Sequence, residues 1–260
     1  MSPYPPYLIE IFTFLMGLCI GSFLNVCIYR LPASKSIVHP RSMCTNCDTL
    51  IPWYDNIPIF SYLLLMGRCR HCRIKFSARY PIVELLGGLF ALGVFMKFGL
   101  SFETLIYYLF IATLLVVTFI DIDHRIIPDV ISLPGIPIFF AASFALPAIT
   151  YKDSLLGILI GGGSLFLVAW LYSLLTKKEG MGGGDIKLLA MMGAIVGWQG
   201  VLFTIFVASL VGTLAGLAVM LKSGQGTKLA VPFGPFLSIG AITYIFFGTQ
   251  LIKWYFNILG

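Results

Sequence analysis

Charge is scarce in this chain: Asp, Glu, Lys and Arg make up only 11% of 260 residues, and there are three histidines. So little charge cannot cover a soluble domain of this length. With 58% hydrophobic and 15% aromatic residues, the composition excludes the ordinary soluble classes. Also missing are the nucleophile elbow G-x-S-x-G and the metalloprotease signature H-E-x-x-H, so those two hydrolase chemistries lack their residues. Nothing marks a nucleic-acid partner; a net charge of +6 suits membrane topology and anionic lipid.

Apolar length is what the chain has in quantity. Eight stretches are long enough to be read as membrane helices: 8–29, 82–98, 103–121, 128–148, 154–175, 185–199, 201–221 and 234–257. The expected fold is therefore an all-α polytopic membrane protein of about eight transmembrane helices. Pro128, Pro134 and Pro137 should kink the fourth stretch, and the sixth is short. The first stretch is too long for a signal sequence and has no basic residue before it, so it is expected to remain as a helix. All but Lys97, Lys152 and Lys253 of the 17 lysines and arginines fall on one side of these spans. That asymmetry makes the basic side cytoplasmic and puts both termini outside.

Against this background two aspartates stand out. Asp121 closes the apolar run Tyr107–Ile120 and opens Asp121-Ile-Asp-His-Arg-Ile-Ile-Pro-Asp129. Asp185 follows Gly182, Gly183 and Gly184 and opens another apolar run. A carboxylate beside lipid is costly and usually marks function. Both fall at the cytoplasmic boundary, where they can meet and share a proton, as peptide hydrolysis by an aspartic pair requires. The three glycines permit a close backbone approach. Asp185 and Asp129 also suit helix N-termini as caps. Asp123, two residues from Asp121, should point elsewhere. Gly161–Gly163 lie within an apolar span and suit helix packing.

The one long polar stretch runs from Arg30 to Arg79 and holds Cys44-Thr-Asn-Cys47 and Cys69-Arg-His-Cys72. Two C-x2-C knuckles at this separation suit one tetrahedral Zn²⁺ with four thiolate ligands, helped by flanking arginines. A reducing cytosol argues against disulfides. Cys19 and Cys27, in the first span, are expected to pack as small apolar residues. His71 is unnecessary as a ligand, and His39 and His124 read as surface or interfacial polar groups. Trp53, Tyr54, Ile57, Ile59, Phe60 and Tyr62 form either the packed face of this loop or a face against the bilayer. The expected organisation is a first helix over 1–29, a cytoplasmic zinc-binding loop over 30–80, and a helical membrane body over 81–260.

Several segments taken together resemble the type IV prepilin peptidase family. They are Gly21-Ser-Phe-Leu-Asn-Val-Cys-Ile-Tyr-Arg-Leu-Pro32, the two knuckles, Trp53-Tyr-Asp-Asn-Ile-Pro58 and Arg79-Tyr-Pro-Ile-Val-Glu84. Further along come Phe119-Ile-Asp-Ile-Asp-His124, Gly180-Met-Gly-Gly-Gly-Asp-Ile-Lys-Leu-Leu189 and Pro232-Phe-Gly-Pro-Phe236. The resemblance implies a bacterial inner-membrane enzyme whose catalytic aspartates fall on Asp121 and Asp185. It implies cleavage, at the cytoplasmic face, of the basic leader of type IV prepilins or of type II secretion pseudopilins. With the cysteine-bearing loop intact, it also implies N-methylation of the new terminus from S-adenosylmethionine. No glycine-rich dinucleotide fingerprint occurs in the loop, so no residue is assigned to that cofactor. Asp55 and Glu84 are candidate polar contributors. The rival class is an ion-coupled transporter, which would place its acids near the bilayer midplane; here they cluster at one edge. A membrane thiol oxidoreductase would instead need exposed, metal-free cysteines.

Overall fold

A computed structural model describes residues 6–177, 182–223 and 231–259. Lys178, Gly180, Met181 and Lys228, used above for charge asymmetry or the glycine motif, lie outside the described residues, as does the Lys222 side chain. The helices are α1 (Pro6–Arg30), α2 (Phe60–Leu64), α3 (Arg79–Phe98), α4 (Phe102–His124), α5 (Asp129–Ser143), α6 (Tyr151–Thr176), α7 (Gly183–Ser223) and α8 (Gly234–Leu259). A 3-10 turn covers Trp53–Asp55. Among the described residues there is no β-strand, only two isolated antiparallel pairings.

Among the described residues six helices, α1, α3, α4, α6, α7 and α8, are long and apolar enough to cross a membrane. This differs from the eight expected stretches in two places. The fourth stretch yields α5, a helix of 15 residues with Pro134 and Pro137 inside it, shorter than the 128–148 read from hydropathy. A proline removes a backbone donor and crowds the preceding turn, which limits such a helix. The sixth and seventh stretches form one element of 41 residues, α7, interrupted at Gly197 (φ 66°, ψ −179°). That backbone conformation is one that residues with a Cβ rarely adopt, so glycine sets the break.

The chain divides into two units, 1–116 and 117–260, with the boundary inside α4. In the first unit α1 packs on α3. Glycines on both helices let the backbones approach: a Cβ on Gly17 would lie 2.7 Å from the Gly87 carbonyl, and one on Gly21 2.7 Å from Glu84 Cα. Cys27 is buried as expected, whereas Cys19 is exposed on the outer surface of α1. In the second unit α7 packs against α5, α6 and α8. Gly157 and Gly193 meet backbone to backbone, and Ser154 Oγ donates to the Ala194 carbonyl at 2.7 Å. Of the three glycines at 161–163, Gly161 lies against the Leu189 carbonyl, while Gly163 faces open space. Leu202, Phe206, Leu210, Leu214, Leu217 and Leu221 form an exposed stripe at helical spacing on α7. Lipid is the solvent such a stripe suits.

Candidate active site and metal centre

Asp121 sits in the last turn of α4 and is 5% exposed. Its neighbours Asp123, His124 and Arg125 are exposed, so the two aspartates at 121 and 123 do face different surroundings. Arg125, with φ 56°, follows the helix, and the chain then leads through Ile127 to α5. The backbone N–H of Gly234, the first residue of α8, donates to Asp121 Oδ2 at 3.0 Å. The carboxylate lies so close that a Cβ on Gly234 would be 2.7 Å from Oδ2. Glycine is needed there for space.

Asp185 stands in the first turn of α7 and is partly buried. Its carboxylate is near enough to Asp121 for the two charges to act on one another. Ile127 forms the common wall. A Cβ on Gly184 would lie 2.9 Å from Ile127 Cβ, and one on Gly234 3.4 Å from Ile127 Cδ1. Beside the pair, Lys187 Nζ bonds both carboxylate oxygens of Asp129 at 2.8 Å, joining the starts of α7 and α5. Asp129 is thus an ion-pair partner, and no side-chain cap bond forms at the start of α5. The fold brings together Asp121 and Asp185. Sequence reasoning gave no role to Gly234 or Ile127 and did not pair Lys187 with Asp129; the Pro232-Phe-Gly-Pro-Phe236 motif at the start of α8 was the visible sign of Gly234.

In the first unit the sulfurs of Cys44, Cys47, Cys69 and Cys72 all lie within 4.8 Å of one another, and Cys44 Sγ is 3.7 Å from Cys72 Sγ. Zn–S bonds near 2.3 Å in a tetrahedron would set the sulfurs about 3.8 Å apart, so the four donors fit one such ion. All four cysteines are free of disulfides.

The two knuckles are built alike. In the first, Asp48 N–H donates to the Cys44 carbonyl at 3.0 Å and Cys44 N–H to Thr49; in the second, Arg73 N–H donates to Cys69 at 3.1 Å and Cys69 N–H to Ile74. Asp48 and Arg73, each just past a second cysteine, have φ near +52° and +60°. The pairings Met43–Leu50 and Arg68–Lys75 close each loop at equivalent positions. Burial pushes the Cys44 thiol up to about 11, while the Thr49 hydroxyl brings Cys47 down to about 6. The Cys72 backbone lowers Cys69.

Arg70, expected to favour the thiolates, is spent on Asp55: it donates from Nε at 2.7 Å and from a terminal nitrogen at 2.5 Å. This contact holds the Asp55 carboxyl below its ordinary range. It also fixes the 3-10 turn to the second knuckle. Of the loop aromatics and aliphatics, Trp53, Tyr54, Ile57 and Phe60 are exposed, whereas Ile59 and Tyr62 are partly covered. His39 is exposed, and His71 is not one of the four clustered donors.

These features define a polytopic helical membrane protein with a paired-carboxylate site and a four-cysteine knuckle module. Residues 15–98 match the Bacterial Peptidase A24 N-terminal domain and residues 108–217 match the Type IV leader peptidase family. Curated relatives agree along nearly the whole chain. A "Prepilin leader peptidase/N-methyltransferase" of Pseudomonas putida is 35% identical, covering 98% of this chain and 96% of the relative. One of Pseudomonas aeruginosa is 37% identical, covering 95% and 93%, and one of Myxococcus xanthus is 38% identical, covering 86% and 68%. No solved structure matches. The chain belongs to the type IV leader peptidase family.

Proposed function

We propose that this chain is a bifunctional enzyme of the bacterial cytoplasmic membrane. It cleaves the leader of type IV prepilins or pseudopilins with Asp121 and Asp185, and N-methylates the new terminus. The observation that carries the peptidase reading is the juxtaposition of the two carboxylates with the Gly234 N–H on Asp121. In this reading one carboxylate accepts a proton from water as the water attacks the scissile carbonyl. The other, protonated, gives its proton to the carbonyl oxygen; the first then passes the proton it took from water to the leaving nitrogen, and the second regains its own as the gem-diol collapses. The pair works as one proton-sharing unit, so neither residue is permanently acid or base. Among the described residues nothing lies within 4 Å of a Cβ placed on Gly183, which suits a peptide backbone passing beside Asp185. The relatives' names support both the prepilin substrate and the methylation.

The reading includes eight membrane crossings with both termini outside. Asp121 ends α4 and lies beside Asp185 at the start of α7, so α5 and α6 together return to the same side. Gly234 starts α8 and touches the same Asp121, which supports a path in which α7 also goes out and back. Its 41 residues would span about 60 Å, twice a bilayer core of roughly 30 Å, and it breaks at Gly197. The basic residues then put the site on the cytoplasmic face. An ion-coupled transporter gains no support, because its acids belong at mid-depth.

Cys44, Cys47, Cys69 and Cys72 hold one Zn²⁺ in this reading. A closed four-sulfur shell leaves no open position for substrate, which makes the ion structural. It would supply much of the folding free energy of the 30–80 loop, the region assigned to methylation, while 81–260 carry the peptidase. S-adenosylmethionine, when bound, supplies the methyl group. Incubation of the purified protein with a prepilin, with and without S-adenosylmethionine, tests both activities by intact mass. Leader loss is expected in both samples and one added methyl only with the donor; an unchanged prepilin mass in both would refute the reading.

A further inference from the structure

The short helix α2 and the turn after it are built the wrong way round for water. They expose Phe60 (57%), Leu63 (67%), Leu64 (66%) and Met66 (85%). The inward face is the polar one. Ser61 is buried and its Oγ donates to the Tyr54 carbonyl at 2.9 Å, while Tyr62 Oη donates to the Phe76 carbonyl at 3.3 Å. An apolar cluster of this kind marks a contact surface, and a bilayer is one medium that suits it.

The depth of α2 selects the bilayer. α3 has 20 residues and is therefore about 30 Å long, the thickness of a hydrocarbon core. A helix of that length crosses only if Arg79 stands near the polar boundary. Glu84 lies five residues further along α3, about 7.5 Å deeper. Its Oε2 accepts the Ile59 N–H at 2.7 Å, so the start of α2 is held beside the second turn of a spanning helix. Interfacial elements bury their apolar faces about 5–10 Å into the boundary of headgroups and acyl chains, which is this depth.

The backbone meets the condition that such a place imposes. Little water is present there, so the donors must find partners within the chain. The Ile57 N–H donates to Ser61 Oγ at 3.1 Å, and the Phe60 N–H to the Pro58 carbonyl at 2.6 Å. The Met66 N–H donates to Leu63 at 3.1 Å and the Gly67 N–H to Tyr62 at 2.8 Å. Past Met66 the chain exposes Arg68, Arg73 and Lys75, and no acidic residue occurs between Asp55 and Glu84. Such a run suits anionic headgroups.

We propose that residues 59–66 are a membrane-surface anchor for the knuckle loop. Phe60, Leu63, Leu64 and Met66 sit at the headgroup–acyl boundary of the leaflet that receives the Arg79 end of α3. The anchor requires that α1 and α3 cross the bilayer and is independent of either enzymatic activity. Its test uses the full chain in nanodiscs of phosphatidylethanolamine and phosphatidylglycerol, with and without added prepilin. The photoreactive residue p-benzoylphenylalanine replaces Leu64, in a second variant Leu63, and in a reference variant Leu89, which is exposed on α3. After irradiation each variant should gain the mass of one phospholipid. Hydroxyl-radical footprinting of the wild type needs no substitution. Met66 should be oxidised as slowly as Met16, which lies inside the apolar span of α1. The proposal is overturned if Leu89 gives a lipid adduct and neither loop position does. It is equally overturned if the loop label falls on a second copy or on the prepilin, or if Met66 is oxidised as fast as a free methionine peptide.

Discussion

Replacing Gly234 with alanine isolates the contact on which the carboxylate site depends. The new methyl carbon would lie 2.7 Å from Asp121 Oδ2, roughly 0.7 Å inside ordinary van der Waals contact. It has no room to retreat, because Asp121 Cγ and Ile127 Cδ1 are each 3.4 Å from the same point. Either the Asp121 carboxylate swings away or the start of α8 backs off, and both break the 3.0 Å hydrogen bond from the Gly234 N–H. Overpacking by one methyl costs about 1–3 kcal/mol, which a helical membrane body should survive. Displacing a catalytic group by such a distance costs far more in rate, on the order of 10²-fold. The assay is the initial rate of prepilin leader cleavage by intact mass, with methylation of a pre-cleaved pilin measured in parallel. Cleavage should fall about a hundredfold while methylation persists. A folded Gly234→Ala protein with a cleavage rate within threefold of wild type would refute the argument that Asp121 works from its observed position.

Asp121→Asn and Asp185→Asn should each abolish cleavage in protein that elutes and unfolds like the wild type, and Asp123→Asn should be milder; brisk cleavage by either of the first two would remove it from the pair. Both dyad variants should still methylate a pre-cleaved pilin, and loss of that activity in a folded variant would argue for one composite site. Replacing Cys44 and Cys47 together by serine should release one Zn²⁺ per chain and loosen the loop. Elemental analysis finding no metal in the wild type, purified reduced and without chelator, would defeat that expectation. The same pair of substitutions should lower methylation more than cleavage, and equal loss of both would show that the loop also serves the peptidase.

What could be read directly from the sequence was whatever has a short period or a short span. The apolar stretches mark their own helices because burying twenty residues in lipid leaves a contiguous signature. The knuckles are equally local: two cysteines three apart, a residue with positive φ after each pair, and a closing backbone pairing all lie within eight positions. Asp121 and Asp185 were conspicuous because charge is so rare around them. Tertiary structure decided the rest, because it depends on contacts whose partners are far apart in the chain. Gly234 reaches Asp121 across 113 residues, and Lys187 reaches Asp129 across 58. The break in α7 is one glycine among the chain's 27, and only the return of α8 to Asp121 gives it meaning. Asn25 likewise reads as one more polar residue near a helix end. Its role shows only in the fold, where its buried side-chain amide donates to the Tyr80 carbonyl, 55 positions later, and ties α1 to the start of α3.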